Sequence, residues 1–200
     1  MSPRPYSMAL RADQVASTRD GIIAAATDLY REQGIADTTI KDVALRADVA
    51  RATVMNHFGS SEALARAVLD GIADSLAIPT ESIFDGTRST PARLRRLVAA
   101  MFDFYDRSTP WFELFRGERE STPALKEGEQ RFWEGIQGLY ANALGPHAAD
   151  RLVYGTVLGL TNPATLGALR ESGLSLTEAS SAVGDLLADL VSRRRHGARS

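Results

Sequence analysis

Residues 38–64 read TTIKDVALRADVARATVMNHFGSSEAL, and the organisation of the chain follows from them. Thr39 and Asp42 stand at capping-box spacing and open a short helix whose inner face is Ile40, Val43, Ala44 and Ala47. Asp48-Val49 makes a tight turn, and a second short helix runs from about Arg51 to Phe58, where Gly59-Ser60 stops it. A turn this short cannot let two helices lie antiparallel. They must cross steeply, which is helix-turn-helix geometry. Val49, Val54 and Phe58 face inward and hold the angle. Arg51, Thr53, Asn56 and His57 face outward, where they can bond base edges or phosphates.

On the N-terminal side, Ile22, Ile23, Ala26, Leu29 and Tyr30 repeat at helical spacing between a cap at Ser17 or Thr18 and a stop at Gly34. Residues 1–16, with Pro3 and Pro5 and no apolar period, read as a flexible arm. On the C-terminal side, Ser60 caps a longer helix bearing Leu64, Val68, Ile72 and Leu76, which Pro79 ends. Thr90-Pro91, Thr109-Pro110 and Thr122-Pro123 each place a hydroxyl before a first-turn proline and predict three helix starts. A helix from about Ala148 to Arg170 is expected to kink at Asn162-Pro163. Its uncharged run, Leu152 to Leu169, reads as a buried helix and not as a membrane span. Ser175 and Glu178 form a second capping box, ahead of the stripe Leu176, Ala179, Val183, Leu186, Leu187, Leu190 and Val191. Arg193, Arg194 and Arg195 follow at the helix C-terminus, where the macrodipole favours cations.

No stretch alternates like a strand. The fold class is therefore all-α, with about nine helices. An N-terminal three-helix helix-turn-helix domain at 17–64 is followed by a helical ligand-binding and dimerisation domain at 65–200. The join is expected within the helix after Ser60. The chain has no cysteine, so disulfides and thiolate metal sites are excluded. The absence of an apolar leader in residues 1–14 fits a cytoplasmic location. Net charge is −2, and residues 1–64 hold seven Lys/Arg against eight Asp/Glu. Any binding to nucleic acid must therefore come from a local patch.

The segment resembles the TetR family of regulators over about residues 18–66. The shared pattern is Gly34, Thr38-Thr39, Asp42-Val43-Ala44, Ala47-x-Val49, Thr53, His57-Phe58 and Ser60-x-Glu62-x-Leu64. The resemblance implies a ligand-responsive regulator, commonly a repressor. It would bind palindromic double-stranded operator DNA as a homodimer, one recognition helix per half-site. A small-molecule effector would set the spacing of the two heads. On this basis the DNA-contact candidates are Thr39, Lys41, Arg46, Arg51, Ala52, Thr53, Met55, Asn56, His57 and Ser61.

The chain departs from the family pattern at several of these positions. Asp48 replaces the usual turn glycine, but Asp tolerates positive φ better than most residues. Ala50 replaces a capping serine, at a cost of roughly 0.5–2 kcal/mol. Ala52 stands for glycine. Met55 replaces a tyrosine, and Ser61 a lysine, that touch the DNA backbone. Arg19, Lys41, Arg46, Arg51 and the arm residues Arg4 and Arg11 are expected to compensate in part.

The second part of the chain carries 11 of the 14 aromatic residues. Met101, Phe102, Tyr105, Trp111, Phe115, Trp133, Tyr140 and Tyr154 are candidates to line an apolar effector pocket. Asn162, with Arg116 or Arg119, could supply polar contacts. The last two helices are expected to form the dimer interface, with Gly155 and Gly159 permitting close approach. No membrane partner, cofactor, metal site or catalytic residue is expected. His57, His147 and His196 are scattered, and there is no phosphate loop or nucleophile elbow. Glu118, Glu120, Glu127 and Glu129 read as solvated faces. Two other readings are open: a helical binding protein that no longer binds DNA, and an enzyme with an unrecognised cavity.

Overall fold

The computed structural model describes the backbone of residues 5–197 and the side chains of residues 12–194. Arg4 lies outside the described residues, as do the side chains of Arg11, Arg195 and His196. Among those described there are nine α-helices and no strand: α1 (Pro5–Gln33), α2 (Ile40–Arg46), α3 (Arg51–Phe58), α4 (Ser61–Ser75), α5 (Thr90–Leu114), α6 (Pro123–Leu144), α7 (Arg151–Leu160), α8 (Pro163–Glu171) and α9 (Leu176–Gly197). Short 3-10 turns at Glu81–Phe84 and Gly145–Ala149 precede α5 and α7.

The number of helices agrees with the expectation, but only because two errors cancel. No helix starts at Thr109-Pro110, since α5 runs through Pro110. The proline removes the amide that would reach Asp106 O, and one residue earlier Thr109 Oγ1 donates to Tyr105 O at 2.6 Å. Conversely, Asn162-Pro163 does not kink one helix but separates two. Asn162 Oδ1 accepts the Thr165 amide at 3.0 Å and Pro163 takes the first helical position, so a new helix starts there. Likewise α7 starts at Arg151, not near Ala148. Asp150 is its cap and accepts the amides of Leu152 and Val153 at 3.0 and 3.3 Å.

Of the flexible arm expected at 1–16, residues 1–4 lie outside the described residues and residues 5–16 are helical. The first helix begins at Pro5, because proline is pre-organised for a helix's opening turn and the residues after it contain no further breaker. Thr18 lies inside this helix, its hydroxyl donating to Gln14 O at 2.9 Å, and does not cap it.

Two compact units divide the chain differently from the expected 17–64 and 65–200. The first comprises residues 1–75 together with 113–129, and the second residues 76–112 and 130–200. Within the first, α1 packs on α2 and α4 around Ile22, Ala26, Leu29, Val43, Val54, Leu64 and Val68, all buried. Phe115 and Ala124, from the segment between α5 and α6, are buried in this same unit. The second unit is built on Leu94, Leu97, Val98, Met101 and Phe102 of α5, Ile136, Leu139 and Tyr140 of α6, and Val153, Val157, Leu187 and Val191.

Candidate nucleic-acid interface

The capping box at the start of α2 is fully formed. Thr39 Oγ1 accepts the Asp42 amide at 3.2 Å, and Asp42 Oδ2 accepts the Thr39 amide at 3.1 Å. The hydrogen bonds from Thr39 hold the Asp42 carboxyl below its ordinary value of 3.8. A carboxyl lowered in the folded state stabilises above its ordinary pKa, and that contribution drains away as pH falls through the lowered value. Exchange of the Thr39 and Asp42 amides is therefore expected to accelerate on acidification below about pH 4, on top of the intrinsic pH trend. Asp42→Asn should abolish that acceleration. Hydrogen exchange followed by NMR from pH 5 to 2.5 reads both.

The end of α2 sets the crossing angle. Asp48 adopts φ +53, the Val49 amide reaches Ala44 O at 3.0 Å, and the Asp48 amide reaches Leu45 O at 3.3 Å. This is the Schellman pattern with aspartate where glycine is usual, as the tolerance of Asp for positive φ led us to expect. The chain then enters α3 through Ala50, which caps the helix with no side-chain hydrogen bond. Ala50→Ser supplies the missing acceptor and is expected to stabilise the protein by about 0.5–2 kcal/mol. Urea denaturation would register this as a higher midpoint at unchanged slope.

Along α3, Val54 is fully buried while Arg51, Ala52, Met55 and Asn56 are exposed and Thr53 and His57 are partly so. Phe58 closes the inner side beneath Arg19, whose guanidinium carbon lies 4.4 Å from the ring centroid. Thr39, Lys41 and Ser61 are also exposed. The expected contact residues are thus exposed or partly exposed, Arg46 among them. The Arg46 guanidinium is paired with Glu32 at the surface, at 2.9 and 2.7 Å.

The expected effector set is divided. Met101, Phe102, Tyr105 and Tyr140 are buried in the second unit, Trp111 and Tyr154 are partly buried, and Trp133 is 41% exposed. Phe115 belongs to the first unit and does not join them. Asn162 is engaged as the α8 cap. Arg116 and Arg119 pair with Glu113 and Glu129 inside the first unit. Residue type suggested these polar groups, but each meets a nearer partner.

Two of the expected pocket residues, Tyr105 and Tyr140, make a polar centre within the second unit's core. The Tyr140 hydroxyl donates to Thr161 O at 2.7 Å and hydrogen-bonds the Tyr105 hydroxyl. Burial pushes Tyr105 up to about 12 and Tyr140 higher still, so both stay neutral phenols. Thr161 Oγ1 is buried without a hydrogen-bond partner. The Thr-Asn-Pro sequence at 161–163 was the available signal, since a helix end buried there leaves polar groups to satisfy. Among the described residues, no helix is long and apolar enough to cross a membrane, and no group of three or more His, Cys, Asp or Glu could hold a metal ion.

Comparison with known proteins gives a consistent picture. The profile of bacterial regulatory proteins of the tetR family matches residues 22–68. The HTH-type transcriptional repressor KstR2 of Mycobacterium tuberculosis is 28% identical over 154 residues, covering 72% of this chain and 77% of that protein. Another HTH-type transcriptional repressor of that organism is 46% identical over 55 residues, covering 28% of this chain and 29% of its own. The crystal structure of FadR from Bacillus subtilis, in complex with stearoyl-CoA, superposes with a TM-score of 0.57 at 17% identity. It covers 84% of this chain and 96% of that one, a likeness of fold.

Proposed function

This chain is a TetR-family transcriptional regulator, and from that premise we propose that it binds a palindromic operator as a homodimer, with α3 of each subunit in the major groove, and represses until a small effector binds. The observation that carries the reading is the exposed polar face of α3, which follows a capped α2 through the tight turn at Asp48. Arg51 and Asn56 are the base-reading candidates, since Arg matches guanine and Asn adenine. Thr39, Lys41, Ser61 and His57 surround them as phosphate contacts, while Ala52, Thr53 and Met55 complete the contact surface. The operator places this activity in the cytoplasm.

For the effector we favour a mainly apolar molecule bearing an uncharged hydrogen-bonding group. The polar groups buried in the second unit's core, Tyr105, Tyr140, Ser108 and Thr161, are all hydroxyls, which match a neutral partner and not an anion. One relative carries such an association in its name: KstR2 is described as a ketosteroid transcriptional regulator. For the dimer, α7 and α9 present Leu152, Leu158 and Leu186 at 58, 38 and 58% exposure, an apolar surface on the helices expected to pair. A Cβ built on Gly155 or Gly159 meets open space, leaving room for a second copy.

The decisive experiment titrates the protein into labelled DNA flanking its own gene, with random DNA as control, at several salt concentrations. Specific binding that weakens steeply with salt supports an operator-binding regulator. Absence of sequence preference, there and in DNA selected from a random pool, would transfer the weight to a ligand-binding protein without operator function. The residues at Met55 and Ser61 would account for that outcome.

A further inference from the structure

The α1–α2 turn belongs to the DNA-binding head, yet it is held by a carboxylate from 83 residues further along the chain. The Ile35 amide donates to Glu118 Oε2 at 2.9 Å and to Oε1 at 3.1 Å, and the Ala36 amide donates to Oε2 at 3.1 Å. Gly34 makes room for it: the residue sits at φ +87, and a Cβ there would collide with Glu118 Oε1. The approach is deep enough that the Glu118 charge adds to the burial that raises Tyr30, to about 12. Glu118 is thus not on a solvated face.

Glu118 lies on the connection between α5 and α6, which is anchored in the first unit at other points as well. Phe115, Thr122 and Ala124 are buried, and Arg66 of α4 donates to Glu127 at 2.9 Å. Both ends of this connection continue directly into the helices that carry Met101, Phe102, Tyr105, Ile136 and Tyr140. The turn it grips leads into α2, whose end sets the direction of α3. The same covalent segment therefore runs from the hydroxyl-bearing core to the base of the recognition helices.

We propose that Glu118 is a positioning residue for DNA binding: it clamps the α1–α2 turn in the geometry that reads the operator, and makes that geometry conditional on where α5 and α6 hold their connection. An effector that shifts the ends of these helices withdraws the clamp. This rests on the regulatory reading above and supplies its route of control.

The test uses the full chain and an operator fragment selected from random DNA by the unaltered protein. Glu118→Ala removes a negative charge from the head, so simple electrostatics would tighten its binding to DNA. The clamp requires the opposite: about tenfold weaker binding, from loss of charge-assisted hydrogen bonds, at an unchanged salt slope because no phosphate contact is touched. Hydrogen exchange at Ile35 and Ala36 should rise by about the same factor while α5 amides keep their protection. Glu118→Gln retains one acceptor oxygen and should fall between, and it stands in if the alanine variant does not fold. Transmission is read by Pro110→Ala, which restores a helical donor in α5 just before the connection and should change exchange at Ile35 and Ala36 severalfold.

Binding by Glu118→Ala that equals or exceeds the unaltered protein's would overturn the clamp. Indifference of Ile35 and Ala36 to Pro110→Ala would overturn the conditional part. If the unaltered protein selects no DNA sequence, the operator reading fails instead, and the exchange measurements still decide whether Glu118 clamps the turn.

Discussion

Met55→Tyr combined with Ser61→Lys is expected to bind operator DNA at least about tenfold more tightly than the unaltered protein, with a steeper dependence on salt. The structure places both positions where such contacts can form. Met55 is 38% exposed on the polar face of α3, beside Ala52 and Asn56, and Ser61, the first residue of α4, is exposed. A tyrosine hydroxyl donating to a phosphate is a hydrogen bond to a charged acceptor, worth about 1.5–3 kcal/mol. A lysine at 61 neutralises one further phosphate, which should steepen the slope of log affinity against log salt by about 0.9. Tyrosine alone adds affinity with little change in slope, so the two single variants separate the contributions. Equal affinity of the double variant and the parent would mean that this face does not meet the DNA backbone at 55 and 61.

Phe102→Ala is expected to lower stability by about 3–5 kcal/mol, a large part of the 5–15 kcal/mol typical of a whole domain. Phe102 is fully buried among Leu97, Val98, Tyr140 and their neighbours in the second unit's core, and truncation both forfeits transfer energy and leaves a cavity. Both tryptophans, Trp111 and Trp133, lie in this unit, so their fluorescence reports its unfolding selectively. The urea midpoint by fluorescence should fall sharply. An unfolding free energy within about 0.5 kcal/mol of the parent's would show that the core repacks without loss.

What was legible in the sequence was local. Thr39 and Asp42, Ser175 and Glu178, and the turn at Asp48 act over three to six residues, and each has the predicted geometry. Proline was read less well, because its meaning depends on neighbours: Pro110 is tolerated inside α5 with Thr109 bonded to Tyr105 O, while Pro163 opens α8 because Asn162 caps it. The polar face of α3 followed from 3.6-residue spacing. The fate of individual charges did not, because the partners of Arg46 and Glu118 lie 14 and 83 residues away. Nothing in local pattern distinguishes a solvated carboxylate from one that grips a turn.

The segment 113–129, lodged in the first unit, bears on how such proteins can be recombined. Regulators are often rewired by grafting one protein's reading head onto another's sensor, and a cut near residue 64 or 75 looks natural along the chain. Here either cut would strip the head of Phe115, Ala124 and the partner of Ile35, and the cut at 75 would also take away the partner of Arg66. A working hybrid must carry residues 113–129 from the same parent as the head, an insertion within the donor sensor and not a simple end-to-end fusion. The same constraint holds for natural gene shuffling, so residues 1–75 and 113–129 should be inherited together although residues 76–112 separate them.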